Sequence, residues 1–260
     1  MRKFVLALTT PFLLFAAENK QVQHCPTPTA VENNLKNLFP LPNLKVEAVK
    51  PAPVSGLCEV VLNINNQKVP FYIDSSGRYL LLGSRSGLVN IIDIQSRENL
   101  TQKELEELNK LSKNQVHELD KYVAFTYGKK GKVVYLFTDP ECPFCQRLEP
   151  TLKKLADEGK IQVKVILFPL PFHPHAKEKA IAIVCHNIGW KGLTGSYWTE
   201  DKMKHLEQWQ CEKGKKLVEE SIKIGQKYGV SGTPTMITEE GKKVVGALPE
   251  PMLKKELGIK

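Results

Sequence analysis

Two cysteines separated by two residues have the clearest capacity for chemistry in this sequence. Cys142 and Cys145 lie in the segment FTDPECPFCQRL, where an apolar run ends and a helical pattern begins. A thiol at the first turn of a helix meets free backbone N–H groups, which lower its pKa and favour the thiolate. Because thiolates attack disulfides, the spacing predicts thiol–disulfide exchange. We expect Cys142 to be the nucleophile and Cys145, one turn further in, to be the less exposed resolving thiol.

A zinc half-site and a permanent disulfide are the alternatives to a redox pair. Zinc usually needs a second pair of ligands, but the sequence has no second CxxC, and His173, His175 and His186 carry no matching motif. A structural disulfide across so short a ring would be strained and labile. We therefore expect no metal and no other cofactor.

A second signal lies near the end of the chain, in the segment GVSGTPT. A cis bond before Pro234 would bring the backbone of Thr233 towards the Cys142 sulfur and offer hydrogen bonds to an extended client segment. Only about one X-Pro bond in twenty is cis, so the Thr-Pro dipeptide alone does not predict a cis bond. Together with the upstream CxxC at a strand–helix junction, it does. We expect Thr233 and Pro234 to bind substrate, together with Pro143 and Phe144 between the cysteines.

The six cysteines of the chain indicate an oxidising compartment. With the CxxC set aside, the other four can pair in three ways, and sequence proximity selects Cys25–Cys58 and Cys185–Cys211. Each pair would close a loop of roughly 25 to 35 residues and stabilise the fold by roughly 3 to 4 kcal/mol on the chain-entropy account. We expect both pairs to be structural.

The first 17 residues have the layout of a secretory signal peptide, with a basic start, an apolar stretch and small residues. The apolar stretch contains Pro11 and is shorter than the roughly 20 residues that a membrane-spanning helix needs. A retained anchor is the alternative, but the length and flanks favour cleavage, with the mature chain beginning near Glu18. The net charge of +9 comes from Lys and Arg spread along the chain, so it does not predict nucleic-acid binding.

The elements that must position these residues change character along the chain. From Val31 to about Asp93, short strand patterns alternate with turn signals, which predicts a small strand-rich module. Such a sheet leaves unpaired strands that a second copy could complete. We expect the apolar strand formed by Tyr79, Leu80, Leu81, Leu82 and Gly83 to be the edge that makes the dimer interface.

The remainder of the chain predicts a linker helix and a mixed domain. Thr101 and Glu104 fit a capping box that starts the helix. After Gly131, an apolar strand, the CxxC, a helix and another strand form a βαβ unit, followed by helices, a hairpin and a closing helix. The predicted boundaries are a signal peptide at 1–17, an N-terminal domain at 18–98, a linker at 99–120, and a catalytic domain at 121–260 with a helical insertion at about 172–225.

These segments together resemble the DsbC and DsbG family of periplasmic disulfide isomerases. PAPVSG and the strands after it are similar to the family's dimerisation domain, FTDPECPFC to its active site and GVSGTPT to its cis-proline loop. The resemblance implies an α+β protein with a small cystatin-like dimerisation domain, a linker helix and a thioredoxin-like domain with a helical insertion. It also implies a homodimer with an uncharged cleft for clients, and places Cys185 and Cys211 at the structural disulfide of the isomerase branch.

The activity that the resemblance implies is isomerisation or reduction of non-native disulfides in exported proteins, with chaperone activity. Its location would be the periplasm, and its partners would be mis-oxidised clients and a membrane thiol–disulfide electron donor. A disulfide oxidase and a DsbG-like holding chaperone with limited isomerase activity are the alternatives.

Three features depart from the family pattern. Pro143 is nearer to the DsbG branch, and Cys25–Cys58 is an addition to the usual dimerisation domain. Leu136 stands where thioredoxins place a buried acid, so no carboxylate is evident to accept the proton of Cys145. Asp139 and Glu141 lie closer in sequence, but acids beside a strand end are usually solvated.

Overall fold

The structure is a computed structural model that describes residues 24–39, 43–64, 67–83 and 87–259. The expected signal peptide and its cleavage site lie outside the described residues. Within these ranges, no helix has the length and apolar character needed to cross a membrane. The chain forms two compact units, with the boundary between Lys103 and Glu104. The finer domain boundaries expected from the sequence stay predictions.

The described part of the first unit is a helix on an antiparallel sheet of six strands. Its elements are α1 (Pro28–Leu38), β1 (Leu44–Pro51), β2 (Leu57–Ile64), β3 (Gln67–Asp74), β4 (Tyr79–Gly83), β5 (Val89–Asp93) and β6 (Glu98–Asn99). The strands lie side by side in chain order. Alternating burial along β2 turns one face of the sheet inward, where Val60 and Ile73 pack in one core with Leu35 of α1. A disulfide joins Cys25, before α1, to Cys58 of β2.

Strand β4 lies inside this sheet, so the prediction that Tyr79–Gly83 forms an exposed edge for dimerisation is wrong. Leu81 pairs with Tyr72 of β3 on one side and with Ile91 of β5 on the other. The physical reason is the meander, in which consecutive hairpins give every middle strand two neighbours. In the described sheet, the outermost positions belong to β1 and β6. The apolar character of β4 reflects burial, since Leu80 is only 1% exposed.

Helix α2 (Leu100–Leu108) runs across the boundary between the units. Its N-terminus is capped by Asn99, whose side-chain oxygen accepts a hydrogen bond from the Gln102 N–H. The capping box predicted at Thr101 is therefore wrong. The Thr101 hydroxyl instead pairs with β5, donating to the carbonyl of Val89 and accepting from the N–H of Ile91.

The second unit places helices around a mixed sheet. Its further elements are α3 (Lys113–Glu118), β7 (Phe125–Tyr127), β8 (Lys132–Thr138), α4 (Pro143–Asp157), β9 (Ile161–Leu167), α5 (Ala176–Cys185), α6 (Glu200–Lys204), α7 (Glu212–Lys227), β10 (Thr235–Thr238), β11 (Lys243–Val245) and α8 (Glu250–Glu256). The order of the five described strands is β11-β10-β8-β9-β7, with β8 and β9 parallel. Segments β8, α4 and β9 thus form the βαβ unit that carries the CxxC at the end of a central strand.

A second disulfide joins Cys185, at the end of α5, to Cys211, the N-cap of α7. Gly214 permits the two helices to approach closely at this bond. A Cβ atom at Gly214 would lie 2.5 Å from the Cys185 sulfur and 2.9 Å from the carbonyl oxygen of Ile181. Neither group is the end of a flexible side chain, so the packing here has no room for a methyl group.

Gly214→Ala is therefore expected to destabilise the protein by about 1–3 kcal/mol. In an unobstructed helix the same change stabilises by about 1 kcal/mol, so the sign of the effect reports the clash. Urea denaturation of the whole protein, followed through the unfolding of the second unit, measures this change in the free energy of unfolding. The matched control is Lys213→Ala, at the exposed neighbouring position, with an expected change within about 0.5 kcal/mol. A Gly214→Ala midpoint at or above that of the wild type would contradict the close approach.

Candidate active site

Cys142 is the N-cap residue of α4, and Pro143 is the first residue of the helix. Proline suits this position because its missing N–H is one that the first turn leaves unpaired in any case. The Cys142 side chain makes no capping hydrogen bond, so the sulfur lies beside the N-terminus of α4 without being tied to it. Both cysteines carry free thiols and are buried, with exposed fractions of 3% for Cys142 and 1% for Cys145.

The loop before β10 closes over the Cys142 thiol. The peptide bond between Thr233 and Pro234 is cis. The Cys142 sulfur lies 3.4 Å from the carbonyl oxygen of Thr233, to which its S–H donates. The structure thus brings together the CxxC and the Thr-Pro pair that the sequence singled out. Phe144, between the cysteines, is 55% exposed, and the guanidinium carbon of Arg147 lies 5.3 Å from the centre of its ring.

Burial raises the pKa of the Cys145 thiol to about 12, although the nearby Thr138 and Thr233 hydroxyls and the backbone N–H of Asp139 act in the opposite direction and favour its thiolate. Both hydroxyl oxygens are buried and make no hydrogen bond to any described residue. Cys145 is therefore protonated at neutral pH, but groups that would stabilise its thiolate are already in place.

Asp139 and Glu141 are not the solvated acids that their position beside a strand end indicates. Asp139 is fully buried, accepts a hydrogen bond from the Leu170 N–H at 2.7 Å, and lies 2.8 Å from Nδ1 of His173. Glu141 accepts hydrogen bonds from the His175 N–H and the Lys179 ammonium group. The two carboxylates thus fasten the loop after β9 to the segment that precedes Cys142.

Glu149 is the residue of this region that sequence reasoning missed. It is 3% exposed, and its Oε1 atom has no hydrogen-bond partner in the part of the chain that the structure describes. Burial raises the pKa of its carboxyl group to about 8. The inward side of α4 consists of Cys145, Leu148, Glu149, Leu152, Leu155 and Ala156. This helical spacing, with a carboxylate four residues after a cysteine, was the available signal.

The other predicted site residues lie away from the thiols or in the other unit. Leu136, at the position of the acid in thioredoxins, is buried in the core of the second unit. The Cys185–Cys211 bond lies at the junction of α5 and α7, and Cys25–Cys58 and Tyr79–Gly83 lie in the first unit. No group of three or more His, Cys, Asp or Glu side chains able to hold a metal occurs among the described residues.

The buried Glu149 carboxyl should make folding stability fall as the pH rises. The pKa of this carboxyl is about 8 in the folded chain and 4.5 in the unfolded chain, so the native state binds the proton more tightly. This contribution is complete below pH 4.5 and is lost towards pH 8, on the order of 3 kcal/mol by pH 7. Comparing urea midpoints at pH 5 and pH 8 for the wild type and Glu149→Gln tests this. The variant should lose this component of the decline, and an unchanged decline would contradict the assignment.

Residues 120–258 match the model of a thioredoxin-like domain, and residues 22–102 match that of the disulfide bond isomerase protein N-terminal domain. The probable thiol:disulfide interchange protein DsbC of Bordetella avium is 28% identical over 240 residues, which covers 88% of this chain and 76% of that protein. DsbC of Escherichia coli is 24% identical over 217 residues, or 82% of each chain.

DsbG of Pseudomonas aeruginosa is 28% identical over 142 residues, which covers 53% of this chain and 52% of that protein. The two family models occupy consecutive parts of the chain. The thioredoxin-like model, at 120–258, includes both active-site thiols and the cis proline. The α+β architecture predicted from the sequence is confirmed. The chain belongs to the DsbC/DsbG family of thiol:disulfide interchange proteins and is a thiol–disulfide oxidoreductase with a thioredoxin-like domain.

Proposed function

We propose that the protein isomerises non-native disulfides in exported proteins, and reduces some of them, with Cys142 as the nucleophile. The observation that carries this proposal is the position of Cys142 at the N-terminus of α4, with its sulfur 3.4 Å from the carbonyl of Thr233. Helix N-termini stabilise thiolates. A backbone carbonyl and N–H groups beside the sulfur give an extended client segment groups with which to pair.

The reaction begins when the Cys142 thiolate attacks one sulfur of a client disulfide. A mixed disulfide forms between Cys142 and the client, and the second client sulfur leaves as a thiolate. If another client thiol then attacks the mixed disulfide, Cys142 is released and the client disulfide has been rearranged. If Cys145 attacks instead, the client leaves reduced and the two active-site cysteines form a disulfide.

The environment of Cys145 favours the first of these outcomes. Burial raises the pKa of its thiol to about 12, so few molecules hold the attacking thiolate at neutral pH. Client thiols at their ordinary pKa of about 8.5 supply more thiolate. The mixed disulfide therefore persists long enough for a client thiol to attack it, and attack by Cys145, which gives net reduction, is the slower reaction.

We further propose that the protein acts in the periplasm as a homodimer. The leader pattern and the even number of cysteines support export to the periplasm. The N-terminal family match supports a homodimer. Each net reduction leaves a Cys142–Cys145 disulfide, so a membrane thiol–disulfide electron donor is proposed to restore the dithiol.

A second candidate function, holding of unfolded clients, is favoured by apolar groups on the first unit. Tyr72 is 40% exposed and Ile91 is 39% exposed. Each pairs with Leu81 across neighbouring strands, so the three side chains form a row on one face of the sheet. Such a row can contact exposed apolar segments of a client.

Reactivation of a scrambled multi-disulfide protein in a glutathione buffer tests the principal proposal. Cys142→Ser should abolish catalysed reactivation, because no mixed disulfide can form. Cys145→Ser should keep part of the activity and accumulate mixed disulfides, since only the escape by reduction is lost. Reactivation by Cys142→Ser at the wild-type rate would refute the proposal.

Suppression of client aggregation separates holding from thiol chemistry. The double variant Cys142→Ala/Cys145→Ala should still suppress aggregation, measured by light scattering of a denatured, cysteine-free client. Ile91→Lys should weaken suppression because it places a charge in the apolar row, while exchange with a small disulfide stays at the wild-type rate. Equal suppression by Ile91→Lys and wild type would place the holding surface elsewhere.

A further inference from the structure

The Cys145 thiol must lose its proton before it can attack the mixed disulfide, and it lies where solvent has little access. We propose that the carboxylate of Glu149 accepts this proton. The inference rests on the proposed function, because it assigns a residue to the step in which Cys145 releases the client.

The position of Glu149 on α4 supports this role. It lies four residues after Cys145 on the inward side of the helix. Residues with this spacing are neighbours, with Cβ atoms about 5–6 Å apart. Because Cα–Cβ bonds tilt towards the helix N-terminus, the side chain of Glu149 covers the turn that holds Cys145. Both side chains are buried on the same side of α4, so the carboxylate is placed about one turn from the thiol that it would deprotonate.

The carboxyl group of Glu149 also lacks the partners that buried acids normally have. Its Oε1 atom is buried and accepts no hydrogen bond from any described residue, and an unpaired polar group in a protein core is costly. The two carboxylates just before α4 do have partners: Asp139 lies 2.8 Å from Nδ1 of His173, and Glu141 pairs with Lys179. The Glu149 carboxyl group therefore has an unpaired oxygen that can accept a proton, one helical turn after a thiol that is protonated at neutral pH.

Burial gives this carboxyl group a proton affinity suited to the task. Its pKa of about 8 is close to working pH, where a general base is most effective. At neutral pH a fraction of the molecules holds the carboxylate that can act. An acid on the solvent side of the protein, at its ordinary pKa of about 4.3, would be a weaker base by several orders of magnitude.

The Cys145 S–H proton moves to the Glu149 carboxylate, and the Cys145 thiolate attacks the Cys142 sulfur of the mixed disulfide. The new bond is Cys142–Cys145, and the bond between Cys142 and the client breaks with its electron pair on the client sulfur. Two electrons reduce the client, and the active site becomes the oxidised partner. The client thiolate takes a proton from water or from Glu149.

Reaction with 5,5′-dithiobis(2-nitrobenzoate), followed by stopped-flow absorbance, isolates this step. Attack by Cys142 releases the first coloured thiolate at a rate proportional to the reagent concentration. Attack by Cys145 releases the second at a rate independent of it. In wild type, the second phase should rise with pH and level off near pH 8. In Glu149→Gln it should be about 100-fold slower at pH 7 and should keep rising above pH 9, while the first phase is unchanged.

Two further variants make the result specific. Glu178→Gln changes another carboxylate with an unpartnered buried oxygen, on α5, and should leave both phases as in wild type. Glu149→Asp keeps the carboxylate and should give an intermediate second phase with the pH dependence of wild type. A Glu149→Gln protein with the wild-type profile, or with both phases slowed equally, would overturn the proposal. Because no client protein is used, this outcome is independent of whether client reactivation requires Cys142.

Discussion

Removing a sulfur atom from water makes its thiolate costly, and Cys145 is subject to this penalty at the junction of β8, α4 and the loop before β10. The other groups around Cys145 reduce the free-energy cost of its buried thiolate. The hydroxyl groups of Thr138 and Thr233 and an amide N–H surround the sulfur. At the same time the helix N-terminus lies next to Cys142, not Cys145. The two thiols thus differ in chemistry because of a displacement of less than one helical turn.

The same junction explains why the loop after β9 is fastened so firmly. Asp139 is buried immediately after β8, so its carboxyl oxygens need hydrogen-bond partners from elsewhere in the chain. The Leu170 N–H donates to it and Nδ1 of His173 lies 2.8 Å from it, while Glu141 accepts hydrogen bonds from His175 and Lys179. The segment before Cys142 is thereby held from two sides, which fixes the start of α4 relative to the sheet.

Local patterns in the sequence predicted the strand–helix junction, the βαβ unit and the strand-rich first unit, because these depend on neighbouring residues. The misses involve contacts between distant segments. Thr101 has the residue type of a cap, but its hydroxyl bonds to β5 and Asn99 caps the helix instead. Whether Tyr79–Gly83 is an edge depends on the order of the whole sheet, which no single strand reveals. Asp139 is next to a strand end, but the loop that buries it comes from beyond β9. Glu149 was visible as a carboxylate on the apolar side of a helix, yet its burial could be known only from the packed unit.

The position of the Cys25–Cys58 bond affects how it can react with thiols. The Cys58 sulfur belongs to a residue with no exposed surface, on strand β2, which has a neighbouring strand on each side. A thiolate cannot approach it in line with the sulfur–sulfur bond while the sheet is closed. In a protein that catalyses disulfide exchange, the Cys142 thiolate of one copy could attack the structural disulfides of another copy. Burial of Cys58 closes one of the two sulfurs to attack, so exchange with another copy can begin only at the partly buried Cys25 sulfur, with the buried Cys58 as the thiolate that leaves.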